Sequence, residues 1–160
     1  MPINECERLN DLIRFGIEAA AVKDFDVLME RLLRTAREFV RCDAGTVYIV
    51  KGDRLEFGFA QNDTLAARLE PGKKLVYRYF SLPLDNRSLA GHVAVTGDTL
   101  TISDAYSLPE GTPYHIDRSF DELSGYRTRS ILTIPLKMHQ GTVIGVLQLI
   151  NAKNEAGEHV

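Results

Sequence analysis

The sequence predicts an α+β domain: a central antiparallel sheet with amphipathic helices on one face and, on the other, a roof of loops and short helices over a pocket. Three observations lead there. The first forty residues repeat apolar side chains at helical spacing, two later stretches read as β-hairpins, and the last strand is apolar on both faces, so both must be covered. At 160 residues the chain is one ordinary domain, able to bury a core without disulfides or metals.

Leu9, Leu12, Ile13, Gly16, Ile17 and Ala20 follow the i, i+3, i+4, i+7 spacing of one helical face. Asp24 is the candidate N-cap of a second helix. Its stripe is Phe25, Leu28, Met29, Leu32, Leu33, Ala36, Phe39 and Val40, with Glu30, Arg31, Arg34 and Arg37 opposite. The period then changes. "GTVYIV" (45–50) and "RLEFGFAQ" (54–61) flank the turn "KGD" and read as a hairpin. Residues 62–87 are rich in turn formers around a short strand at "KLVYRYF" (74–80). "SLAGHVAVTG" (88–97) predicts a short helix capped by Ser88 and stopped by Gly97. "TLTIS" (99–103) is a strand, followed by a long crossing with a short helix near its end. "RSILTIPLK" and "TVIGVLQLIN" form a second hairpin through "MHQG", and Pro135 predicts a bulge or an edge, because proline donates no ladder bond.

In that last strand Val143, Gly145, Leu147 and Leu149 are expected on one face, and Thr142, Ile144, Val146, Gln148 and Ile150 on the other. Loops over an apolar floor favour a cavity. Gln148 is then a polar group on the floor, serving either a ligand or a loop carbonyl.

Composition narrows the function. The chain has 22 acidic and 19 basic residues, which argues against a nucleic-acid partner. Its longest apolar run is too short to span a bilayer, and the N-terminus lacks the pattern of a secretory signal, so a cytoplasmic setting is expected. Cys6 and Cys42 are read as free thiols. His92, His115, His139 and His159 show no metal-ligand spacing, and no nucleophile and base are paired; no catalytic or metal residue is assigned.

Three ordered blocks, "SLAGHVAVTGDTLTISDAY", "SFDELSGYRTRSILTIPLK" and "GTVIGVLQLINAKN", resemble the GAF domains. The similarity is to those of cyclic-nucleotide phosphodiesterases and to bacterial GAF domains that precede output domains: HD-type metal-dependent phosphohydrolases first, then cyclases and kinases. It divides the chain into an N-terminal helical segment (1–23), the GAF domain (24–154) and a tail cut short (155–160). The resemblance implies a sensory or regulatory domain that binds a small molecule, with cyclic AMP or cyclic GMP as the candidate ligand, and controls an output domain beyond this chain. It places Thr46 against the base, Gln61 or Asn62 as a polar contact from the second strand, Ala90, Gly91 and His92 near the phosphate, Asp121, Ser124 and Thr128 in the loop that holds base or ribose, and Gln148 on the floor. Thr128 facing the pocket turns Arg127 and Arg129 outward, toward Asp117, Asp121 or Glu122. After the last strand the chain departs from the nucleotide-binding pattern, with Asn151 followed by Ala152 and Lys153 one place late. That weighs against a cyclic nucleotide more than against a pocket. A homodimer through the N-terminal helices, with a vestigial pocket, is the alternative. Some GAF-fold proteins reduce methionine sulfoxide with pocket cysteines, but "DNRSLAGHVA" has none, and neither cysteine is placed to hold a tetrapyrrole.

Overall fold

The structure, a computed structural model, describes residues 5–21, 24–75 and 80–160. The chain runs α1 (Glu5–Ala21), α2 (Phe25–Val40), β1 (Cys42–Lys51), β2 (Arg54–Asn62), α3 (Asp63–Ala67), β3 (Ser81–Pro83), α4 (Leu89–Thr96), β4 (Leu100–Ile102), α5 (Ser119–Ser124), β5 (Ile131–Lys137) and β6 (Val143–Ala152). All pairings are antiparallel, and the six strands lie in the order β3-β2-β1-β6-β5-β4. Both predicted hairpins are present, and β6 returns to pair with β1 at the centre of the sheet. Most of the strand expected at 74–80 lies outside the described residues.

Local chemistry sets the helix ends. The Asp24 carboxylate accepts from the backbone N–H groups of Asp26 and Val27, and the Ser88 hydroxyl accepts from Gly91 N at 3.0 Å. Gly97 ends α4 at φ 71°, a left-handed turn that costs glycine little. Among the described residues α1 packs on α2: the Arg8 guanidinium lies 4.7 Å from the Phe39 ring and donates to the Phe39 carbonyl near the negative end of the α2 dipole. Leu9, Ile13 and Ile17 of α1 remain exposed.

One face of the sheet lies under α2, where Leu33, Val47, Leu147 and Leu149 form a dry layer joined by Met29, Ala36, Leu132 and Ile134. Contact is close: a Cβ on Gly45 would meet Leu33 Cδ1 at 2.8 Å and the Gln148 carbonyl at 3.1 Å, so any larger residue there has to displace the Leu33 side chain. The other face carries α4 and the roof: Tyr48, Leu55 and Val146 pack on Ala90, Val93 and Ala94.

Two bulges shift the expected alternation. In β2 the pairing passes from Val47↔Phe59 to Tyr48↔Phe57, so Gly58 is an extra residue; Phe57 joins the roof cluster and Phe59 the α2 cluster, although they are two apart. At the β5–β6 turn a shift beside Leu136 and Lys137 sends Val143 to the roof cluster instead of the face of Leu147 and Leu149. Pro135 pairs with Val146 beyond Thr133, where β4 stops pairing, so its missing N–H breaks no β4 ladder bond, and the bulge follows it.

Candidate functional site

Register builds a polar row across the roof face. Thr46 of β1 stands beside Gln148 of β6, which stands beside Thr133 of β5, with Ala60 and Leu100 at the two ends. Rows of Tyr48 with Val146 and of Ala44, Ile150 and Ile131 border it. Gln148 Nε2 donates to Thr133 Oγ1 at 3.3 Å. Gln148 and Thr46 are 8% and 9% exposed; the Thr46 hydroxyl and Gln148 Oε1 make no hydrogen bond among the described residues, but they are not enclosed, since the one enclosed side-chain nitrogen or oxygen without a partner among those residues is Arg37 Nε on the α2 side. A hydroxyl and an amide oxygen side by side on an otherwise apolar floor, both reachable, are groups that a ligand can bond. Two hollows lie elsewhere, neither lined by Thr46, Gln148 or Thr133: one of about 310 Å³ follows β2 between Glu30, Phe57, Phe59, Ala60, Gln61 and Leu75, and one of about 340 Å³ lies against β3, beside Leu82, His115 and Ile116. Ala60 belongs both to the first hollow and to the polar row.

The roof residues expected at the ligand separate into groups. Ala90 faces the floor, 2% exposed. Gly91 faces the chain itself, since a Cβ there would meet the Asp85 carbonyl at 2.2 Å, and its N–H is taken by Ser88. His92 turns away: Nδ1 lies 3.2 Å from Asn86 Oδ1 and its ring centroid 4.9 Å from that of Tyr114. Asn62 is on the roof side, but its amide oxygen caps α3 by accepting from Leu65 N at 2.9 Å. Gln61, the other second-strand candidate, lies on the opposite face, a correction: its register partner is Gly45, which faces Leu33 of α2. Its Oε1 accepts from Arg37 Nη1 at 2.8 Å and its Nε2 donates to the Glu30 carbonyl at 3.0 Å.

Asp121, Ser124 and Thr128 are joined to their own loop. Asp121 accepts from Thr128 N at 2.7 Å, Thr128 Oγ1 at 2.8 Å and the Tyr106 hydroxyl at 2.8 Å; Ser124 Oγ donates to the Phe120 carbonyl and accepts from Tyr126 N. The bond to Asp121 pushes the Tyr106 hydroxyl above its ordinary pKa. Arg127 does face outward, but its partners are Asp104 at 3.4 Å and the Tyr106 ring, which lies 4.0 Å from Arg127 and 4.1 Å from Arg118. The acids expected to hold it are otherwise engaged, Asp121 as above and Asp117 by Ser119 N. The pair of guanidinium contacts fastens the roof loop to α5.

Two features escaped the sequence reading. Thr133 sits at the period-2 position between Ile131 and Pro135, a signal present in "ILTIP". The second is a buried polar cluster where β1 begins, centred on Asp43, which is 1% exposed. Burial pushes that carboxyl up in pKa, but hydrogen bonds from Lys153, Thr64 and Tyr126 outweigh it and hold the group below the ordinary aspartate value. Among the described residues no group of three or more His, Cys, Asp or Glu side chains is arranged to hold a metal, and no helix is long and apolar enough to cross a membrane.

A curled antiparallel sheet with helices on one face and a roof of loops and short helices over a polar row on the other defines the α+β class of this domain. Residues 24–159 match the family model of the GAF domain, and the chain belongs to that family. It is 31% identical over 160 residues to the dual 3′,5′-cyclic-AMP and -GMP phosphodiesterase 11 of Drosophila melanogaster, covering 97% of this chain and 10% of that protein. The chain thus spans about a tenth of that relative's length. Among solved structures it is similar to the GAF domain of a phosphoenolpyruvate-protein phosphotransferase from Coxiella burnetii, with TM-score 0.68 and 18% identity over 99% of this chain and 83% of that one. A free methionine-R-sulfoxide reductase from Neisseria meningitidis in complex with its substrate shares the fold at TM-score 0.66 and 18% identity, over 99% and 84%.

Proposed function

We propose that this domain is a regulatory sensor that binds a small molecule between the floor of Thr46, Gln148 and Thr133 and the roof, and passes the bound state to an output domain in a bacterial signalling protein, such as an HD-type phosphohydrolase. The observation that carries this reading is the polar row of Thr46, Gln148 and Thr133, set side by side by the register on the otherwise apolar roof face, with the Thr46 hydroxyl and Gln148 Oε1 free to bond among the described residues. Cyclic AMP and cyclic GMP are the first candidates, supported by the likeness to the dual-specificity phosphodiesterase. A hydroxyl and a carboxamide suit the donor and acceptor edge of a purine. The phosphate contact at α4 has less support, because Gly91 N–H is already used by Ser88.

Thermal unfolding against cyclic AMP, cyclic GMP, other nucleotides and common metabolites tests the reading. A ligand at 100 times its Kd adds roughly 2.7 kcal/mol and raises the midpoint by several degrees. A midpoint unmoved by every compound tested argues for the scaffold reading.

That second reading has its own observation. Leu9, Ile13 and Ile17 are 58%, 53% and 69% exposed on α1, a stripe that a second copy's α1 can cover across a two-fold axis. Light scattering is expected to give a dimer that Ile13→Glu converts to a monomer; a monomeric parent protein overturns it.

A further inference from the structure

Away from the floor, the side chain of Asp43 gathers four segments of the chain. Lys153 Nζ, just past β6, lies 2.6 Å from Oδ1. The Tyr126 hydroxyl, in the roof loop, donates to Oδ2 at 2.9 Å. Thr64 of α3 adds a side-chain hydrogen bond, and His159 Nε2 of the C-terminal segment lies 3.8 Å from Oδ2. Asn151 extends the cluster from fully buried, left-handed backbone at φ 58°. Its Nδ2 donates to the Tyr126 hydroxyl at 2.9 Å and to the Arg127 carbonyl at 2.8 Å, and its Oδ1 accepts from Arg129 N at 2.7 Å.

The segment after β6 folds back onto this cluster. Lys153 N donates to the Arg41 carbonyl at 2.7 Å, Lys153 and His159 form a bridge, and Val160 N donates to the Ala152 carbonyl at 2.9 Å. Residues 153–160 and the roof loop thus meet at one buried carboxylate. A buried charge is tolerated only while its partners stay in place, so losing one donor weakens the hold on the others. Such an element favours two discrete arrangements over a graded series.

We infer that Asp43 is a junction coupling the roof to the C-terminal segment, so that opening the roof around Tyr126 releases residues 153–160, and freeing Lys153 loosens the roof. This gives a change over the floor a route out of the domain. The inference rests on the cluster alone and requires no ligand.

Hydrogen exchange followed by mass spectrometry on the full 160-residue chain tests it. Tyr126→Phe removes one hydroxyl from the roof loop. The expected result is exchange of the 153–160 amides faster by roughly tenfold, the weight of one buried hydrogen bond, with 45–49 and 145–149 still protected. Lys153→Met is expected to speed exchange of residues 121–128 in return. If each variant loosens only its own segment, the junction is wrong. Should either variant lose protection across the whole sheet, Thr64→Val replaces it: faster exchange in both segments supports the coupling, and faster exchange in α3 alone overturns it.

Discussion

The two faces of the sheet are made by the same strands and differ in the surface they present. Under α2, Leu33, Val47, Leu147 and Leu149 close an apolar layer, entered by Arg37, which bonds Gln61, the Asp43 carbonyl and Asp63 and keeps only its buried Nε without a partner among the described residues. Under the roof, β1, β5 and β6 set Thr46, Thr133 and Gln148 side by side and leave the Thr46 hydroxyl and Gln148 Oε1 without partners among the described residues. An aliphatic row would serve folding at least as well. The α2 face is therefore an apolar packing surface, whereas the roof face carries a polar row open to bonding.

Leu33→Ala breaks the comparison on its stable side. Leu33 is fully buried, so deleting its branch is expected to lower unfolding stability by about 3–5 kcal/mol, read as a fall in the urea midpoint at unchanged slope.

Lys153→Met acts where the two faces meet, leaving the Asp43 charge without its ammonium partner. A loss of about 3 kcal/mol at neutral pH is expected by urea denaturation. The sign of the pH dependence follows from the depressed Asp43 pKa. The stabilisation is present above the ordinary aspartate value of about 3.9 and is lost as pH falls through the lower folded value. Asp43→Asn should flatten the stability curve below about pH 4; a slope identical to the parent's removes Asp43 from the account.

Much of this contrast can be read in the sequence, and the unread part has identifiable causes. The α2 stripe, the Asp24, Ser88 and Gly97 helix ends and both hairpins are local patterns, and local patterns survive in one dimension. The faces of β6 were legible from Val146 to Ile150 because no bulge interrupts that stretch, while the shift near Leu136 and Lys137 reversed Val143. The resemblance offers Gln61 or Asn62 without assigning a face, and the register, with one extra residue at Gly58, sets Asn62 on the roof side and Gln61 under α2. Short α3 and β3 left too few residues for a period to show. The Asp43 cluster was invisible because its members, 43, 64, 126, 151, 153 and 159, are brought together only by the fold.

Cys42 sharpens the comparison chemically. Burial pushes its thiol up to about 11, so alkylation at pH 8 in the folded protein should run at least tenfold slower than in the urea-unfolded chain, with the label located by peptide mapping. Equal rates would show that the α2 face is not dry near the start of β1.

The smallest expected effect is Thr46→Val. Removing an unpartnered hydroxyl while keeping the shape should leave stability within about 1 kcal/mol of the parent. A loss of several kcal/mol would reveal a structural bond at Thr46 and weaken the ligand reading.

The most direct test is to follow the side-chain amide resonance of Gln148 in nitrogen-15-labelled protein, assigned with Gln148→Leu, during titration with cyclic AMP and cyclic GMP. The account predicts a saturable shift of that resonance with one of the two, accompanied by the backbone amides of Thr46 and Thr133. Saturable binding that leaves all three unmoved would contradict it, placing the ligand elsewhere on the domain.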